Sequence, residues 1–170
     1  MVGDASEAVF SAFLPGEELG PGEASCCITP FTEEQLQHMR AGQFSSAERE
    51  LEALRLAVAW LGQEGRLAGR LVQYCTDSQN AFFCVLGMKG SGPNLGLVMA
   101  IYRRLFAADA EIRIVWRPRT DPQQQHADYL TNPVKKRHWH WQKALASSAT
   151  CVSSVRPGSL TVVVPLGHSR

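Results

Sequence analysis

The sequence predicts an α/β domain on a mixed sheet, antiparallel at one edge and parallel in its later part. Three observations carry this. Two apolar runs rich in β-formers come first, separated only by a turn-rich loop, as in an antiparallel pair. A long amphipathic helix follows them. After it, strand, helices, strand and helix alternate, the order that yields parallel pairing through right-handed crossovers.

The elements follow from local pattern. "AVFSAFLP", residues 8–15, reads as a strand, "GEELGPGEAS" as a loop and "SCCITPF", residues 25–31, as a second strand. "TEEQLQHMRAGQF" fits either a short helix or an excursion before the next element. "SSAERELEALRLAVAWLGQEG" is the clearest helix. Ser45 or Ser46 can cap it, acids fill its first turns, and Leu51, Leu54, Val58 and Leu61 form one stripe before Gly62 and Gly65. "RLVQYC", residues 70–75, is a short strand, and residues 78–88 read as a helix. After the "KGSGPN" break, residues 95–109 form a second strong helix. "EIRIVWRPR", residues 111–119, is a strand. "DPQQQHADYLTN" carries a short helix with Pro122 at its first position. Beyond it lie the basic and aromatic "KKRHWHWQK", a loop-like stretch, and "LTVVVPL" as a lone strand.

Composition narrows the class. The 170 residues fit one domain, and 45% hydrophobic content allows a full core. A net charge of +1 leaves a nucleic-acid partner to be decided by where charges cluster. Cys26, Cys27, Cys75, Cys84 and Cys151 show neither a CxxC pair nor a Cys/His ligand spacing, which argues against zinc. An odd cysteine count fits a reducing, intracellular compartment, cytoplasmic or nuclear. No apolar run is long enough to span a membrane and no signal peptide opens the chain, so no membrane partner is expected.

Four acids occupy telling positions. Asp4 directly precedes the first run read as a strand, Glu50 lies in the first turns of the long helix, Asp77 ends the middle strand, and Asp128 lies in the last short helix. Ligand sites of open α/β sheets form outside the carboxyl ends of the strands, where Asp77 would stand. Converging carboxylates repel one another, and hard cations such as magnesium remove that penalty. Each acid also has a plainer role: a solvated terminal residue for Asp4, a dipole partner for Glu50 in competition with Glu48 and Glu52, a helix N-cap for Asp77, a surface acid for Asp128. Ser78, Gln79 and Asn80 open a helix whose amides can meet phosphate or be capped by Ser78. Arg117 and Arg119 can meet a phosphate backbone or solvent. Cations interleaved with tryptophans in residues 135–143 suit a nucleic-acid strand or a linker.

"GDASEAVFSAFL", "SSAERELEALRLAVAWL", "YCTDSQNAF" and "IVWRPRTDPQQQHADYLT" occur in this order. Together they resemble the ribonuclease H domain of reverse-transcribing elements, of the DIRS-like, tyrosine-recombinase retrotransposon type. The resemblance covers residues 1–132 and leaves 133–170 as a basic, aromatic C-terminal extension. It implies a ribonuclease H-like mixed five-stranded sheet flanked by helices. The activity implied is a metal-dependent endonuclease that hydrolyses the RNA strand of RNA–DNA hybrids during reverse transcription, leaving 5′-phosphate products. The implied cofactor is two Mg2+ ions, with Mn2+ able to substitute. Asp4 would bridge the two ions, Glu50 and Asp77 would hold the ion on the leaving-group side, and Asp128 the ion that holds the attacking water. Ser78, Gln79, Asn80, Arg117 and Arg119 are the candidate nucleic-acid contacts, and a reverse transcriptase domain of the same polyprotein is an implied partner.

The chain departs from the family pattern at three places. Val9 and Ser11 stand where glycines are usual, only three residues precede Asp4, so that the first strand is expected to be clipped, and no histidine matches the one some members carry before the last acid. Two alternatives therefore accompany the nuclease: a degenerate fold that binds nucleic acid or protein without catalysis, and a related nuclease acting on DNA.

Overall fold

The computed structural model describes residues 1–14 and 26–132, together with the backbone strand Thr161–Val163. The expected basic and aromatic stretch, residues 135–143, lies outside these residues. Strands β1 (Val2–Ala5), β2 (Val9–Phe13), β3 (Cys26–Pro30), β4 (Leu71–Thr76), β5 (Glu111–Trp116) and β6 (Thr161–Val163) form one mixed sheet in the order β3-β2-β1-β4-β5-β6. Among the described residues five helices flank it: α1 (Glu33–Arg40), α2 (Ser46–Gln63), α3 (Gln79–Leu86), α4 (Pro93–Ala107) and α5 (Pro122–Thr131). The first five strands are the mixed α/β sheet the sequence predicts, and the arrangement is consistent with a ribonuclease H-like fold. β6 lies within the run read as a lone strand and pairs antiparallel with β5.

β1 corrects the sequence reading, which placed Asp4 just before the first strand. Asp4 lies inside a strand of its own, joined to β2 by a tight turn. The Ser6 hydroxyl accepts hydrogen bonds from the amides of Ala8 and Val9 and donates to the Val9 carbonyl, closing that turn. Glycine and aspartate inside a four-residue run hide the strand from propensity. Tertiary context makes it: β1 pairs antiparallel with β2 and parallel with β4.

Strand alternation divides the core into two layers. Val72 and Tyr74 of β4 and Ile112 and Ile114 of β5 pack with α2, α3 and α4, through Leu51, Leu54, Val58, Phe82, Val85, Ile101 and Leu105. Cys75 and Val115 point to the opposite layer, where Ala127, Tyr129 and Leu130 of α5 meet Val2 and Phe13. A smaller cluster packs α1 against the sheet edge through Phe10, Phe31 and Ala53, with Leu36 and Met39 beside them. The undecided segment after β3 is thus a helix. Thr32 and Gln35 form a full capping box at its start.

The register places the candidate site. Val2 pairs with Cys75, so two residues further along these parallel neighbours Asp4, inside β1 near its carboxyl end, stands abreast of Asp77, one residue past the end of β4. Gly3 permits this approach, because a Cβ there would lie 2.8 Å from Cζ of the fully buried Tyr74. Gly3→Ala should therefore destabilise the fold by about 1–3 kcal/mol through overpacking. Urea unfolding should show a lower midpoint at unchanged slope, partly recovered when Tyr74→Phe removes the hydroxyl.

Candidate metal centre

Asp4, Glu50 and Asp77 converge although they come from three elements. One carboxylate oxygen of each lies within 4.8 Å of the others. Asp4 and Glu50 are 5% and 6% exposed. Such burial strips water from three like charges at once.

Local chemistry selects these acids from their neighbours. On α2, Glu48 closes a capping box, accepting a 2.6 Å bond from the Ser45 amide while Ser45 accepts from the Glu48 amide. Glu52 is held by Gln35 Nε2 at 2.8 Å and by Arg55 Nε at 2.6 Å. Glu50 faces the sheet end, where the Ala5 backbone opposes part of the rise in its pKa. Its Oε2 is buried and has no hydrogen-bond partner among the described residues. At the end of β4, the N-cap of α3 is Ser78, whose hydroxyl accepts from the Ala81 amide. The capping role considered for Asp77 therefore belongs to its neighbour. The Asp77 carbonyl accepts from Trp116 Nε1 at 2.9 Å, and its side chain turns to the cluster.

Asp128, the fourth predicted acid, is half-buried on α5 and lies outside the 4.8 Å group. It is near enough for its charge to raise the pKa of Asp4. Thr131, one helical turn later, links the two. Its hydroxyl lies 2.7 Å from Asp4 Oδ2 and 3.0 Å from the Asp128 carbonyl oxygen. With one proton, it donates to one of these acceptors at a time. The sequence reading missed Thr131, although its i+3 spacing from Asp128 on a helix put it on the same face.

The electrostatics follow from burial. The Asp4 carboxyl is pushed up to about 6, chiefly by desolvation, with Asp77 and Asp128 adding to the rise and the Thr131 bond and Arg119 opposing it. Glu50 is raised well above its ordinary value by burial and then by the charges of Asp4 and Asp77. Tyr74 lies in the same field. Its hydroxyl is buried without a hydrogen-bond partner, and burial followed by the Glu50 and Asp4 charges pushes its pKa up.

The predicted nucleic-acid contacts separate into two kinds. Gln79 and Asn80 are exposed at the start of α3. Ser46, Glu50, Asp77, Ser78 and Arg119 line a cleft of about 240 Å³. Arg119 reaches over it, its Nε donating to Asp77 Oδ2 at 2.7 Å. Arg117 is 13% exposed and holds the entry to α5, with its Nη1 3.0 Å from Gln123 Oε1 and 3.3 Å from Asp121 Oδ2. Of the residues that depart from the family pattern, Ser11 is a strut: its buried hydroxyl donates to the Ala127 carbonyl at 3.1 Å, tying β2 to α5. Val9 is half-buried opposite Pro30. His126 packs edge-on against Phe13 at 4.7 Å, and burial lowers its pKa to about 4.

Three carboxylates with one orphaned buried oxygen fit a hard cation, which takes oxygen ligands and cancels the repulsion among them. The chain matches no protein-family model, no curated protein and no solved structure. No helix among the described residues is long and apolar enough to cross a membrane.

The raised acid pKa values carry a sign. Groups that ionise less readily when folded stabilise the fold fully below their unfolded pKa and lose that contribution as pH rises through the folded value. For Asp4 the window runs from 3.8 to about 6. Denaturant unfolding in chelator should show wild type losing on the order of 3 kcal/mol relative to Asp4→Asn across that window. A pH-independent difference between the two would contradict the assigned electrostatics.

Proposed function

We propose that the chain is a ribonuclease H-type endonuclease that uses divalent cations to hydrolyse the RNA strand of RNA–DNA hybrids, as part of retroelement reverse transcription. The observation that carries this reading is the buried Glu50 Oε2 with no hydrogen-bond partner, set among Asp4 and Asp77 at the carboxyl ends of parallel strands. An uncompensated carboxylate oxygen is costly to bury, and a cation is the group that removes the cost. The four motifs that resemble the family place these same acids in sequence order.

In this reading Asp4, Glu50, Asp77 and Asp128 would hold two magnesium ions, for which manganese would substitute. When bound, the ions lower the pKa of water and offset charge on the cleaving phosphate. The chain's own contribution is positional. Asp4 would serve both ions, and the Thr131 hydroxyl lies 2.7 Å from its Oδ2. Glu50 and Asp77 would serve the leaving-group side, and Asp128, on the other bank, the side of the attacking water. Ser78 lines the cleft where the hybrid would enter, Gln79 and Asn80 are exposed next to it at the start of α3, and 2′-hydroxyls would distinguish the RNA strand. The reverse transcriptase domain of the same polyprotein would be the functional partner.

The Arg119–Asp77 ion pair favours a second reading, because it partly neutralises the cluster without any metal. A fold that binds nucleic acid without cutting it would keep such a pair. Incubation with labelled RNA–DNA hybrid, DNA duplex and single strands, with magnesium, manganese or chelator, separates the readings.

The nuclease reading predicts metal-dependent cutting confined to the RNA strand of the hybrid. Asp77→Asn should lower the rate by more than about 100-fold while leaving the fold intact. Wild-type rates in that variant would remove the assigned site, and hybrid binding without cutting would favour the second reading.

Glu50→Gln should abolish cutting yet unfold at the same or a higher denaturant concentration than wild type in chelator. It replaces an unpaired buried charge by a neutral group of the same size. A markedly less stable variant would mean that the Glu50 charge supports the fold.

A further inference from the structure

We propose that Arg119 is the resident counter-cation of the acid cluster, that a divalent cation displaces it from Asp77, and that the freed guanidinium then grips a phosphate of the nucleic acid. This rests on the metal-dependent nuclease reading and assigns one residue the exchange that couples metal to substrate.

The geometry is asymmetric. Asp77's side chain is 8% exposed, whereas the Arg119 side chain is 83% exposed and lies over the cleft, with its Nε 2.7 Å from Asp77 Oδ2. Arg119 is therefore held at its charged end by a buried acceptor and little elsewhere. Its charge also opposes the raised pKa values of both Asp4 and Glu50, so it is sensed across the cluster. Yet it leaves Glu50 Oε2 without a partner. One monovalent guanidinium on the rim compensates the three acids incompletely. A divalent ion among all three carboxylates would compensate them better, and it would repel the guanidinium from an oxygen the two cannot easily share.

The place of Arg119 in the chain makes a second position accessible. It sits on the turn between β5 and α5, closed by the Asp121 amide donating to the Pro118 carbonyl at 2.8 Å. Arg117, two residues earlier, is anchored to Asp121 and Gln123 and supports that turn. Arg119 is free of such anchoring and lines the cleft with Ser46 and Ser78. A guanidinium released there faces the space a phosphodiester must enter, and its planar donors suit phosphate. Two consequences follow. Arg119 weakens metal binding in the absence of nucleic acid, and metal strengthens nucleic-acid binding through Arg119, the two effects being linked.

The test is manganese binding without nucleic acid, read from the electron paramagnetic resonance signal of the free ion. Wild type, Arg119→Gln, Asp77→Asn and Arg103→Gln are compared, the last removing an exposed charge on α4. Arg119→Gln should bind manganese about 5-fold more tightly or better, Arg103→Gln within about twofold of wild type, and Asp77→Asn more weakly. In single-turnover cleavage at saturating manganese, Arg119→Gln should need a several-fold higher hybrid concentration for half-maximal rate. Unchanged manganese affinity in Arg119→Gln, with Asp77→Asn weakened, would overturn the exchange and leave the metal site standing. Absence of manganese binding in both wild type and Arg119→Gln would overturn the metal site and the exchange together. An unchanged half-saturating hybrid concentration would overturn the phosphate grip.

Discussion

The whole arrangement turns on the burial of like charges. Asp4 and Glu50 lie buried beside Asp77, and Arg119 reaches the cluster only from the rim, at Asp77. A fold tolerates this only if the charges are relieved, by protonation, by a counter-ion or by hydrogen bonds. All three kinds of relief are visible and each is partial. Asp4 and Glu50 hold their protons to higher pH, Arg119 pairs with Asp77 from the rim, and the Thr131 hydroxyl lies within hydrogen-bonding distance of Asp4. The residual deficit is localised on one atom, Glu50 Oε2.

The fold supplies the geometry that makes the deficit unavoidable. Parallel pairing of β1 with β4 sets two acids side by side at the carboxyl ends of the two strands. Helix α2, fixed by its Ser45–Glu48 box and packed through Leu51 and Leu54, brings the third across from above. α5 seals the other side, tied to the sheet by Ser11–Ala127 and by Gln124, whose Nε2 donates to the Gly3 carbonyl at 3.1 Å. A core of this quality can hold a destabilising cluster, which is how functional sites commonly stand against the stability of their surroundings.

Much of this was legible in the sequence, for identifiable reasons. The amphipathic helices and the parallel strands β4 and β5 announce themselves by period, since their apolar faces are continuous. The helix pattern alone left Glu48, Glu50 and Glu52 in competition, all three being buried on α2, and only the resemblance of the four motifs pointed to Glu50. The strand β1 was not legible: Val2–Ala5 contains glycine and aspartate, and only pairing with both neighbours makes it a strand. Asp77 and Ser78 were ambiguous because either could cap α3, a matter of one residue's backbone. Thr131 and the Arg119–Asp77 pair join residues 127 and 42 positions apart, which no local pattern reports.

The measurement that bears most directly on this account is thermal unfolding of wild type and Glu50→Gln at neutral pH, with magnesium and with chelator. A ligand that binds only the folded state stabilises it in proportion to the logarithm of its concentration over its dissociation constant. The account predicts a melting temperature that climbs with magnesium in wild type and stays flat in Glu50→Gln. A wild-type melting temperature indifferent to magnesium and manganese alike would contradict it, and would leave the buried carboxylates with protons, the Thr131 hydroxyl and Arg119 as their relief.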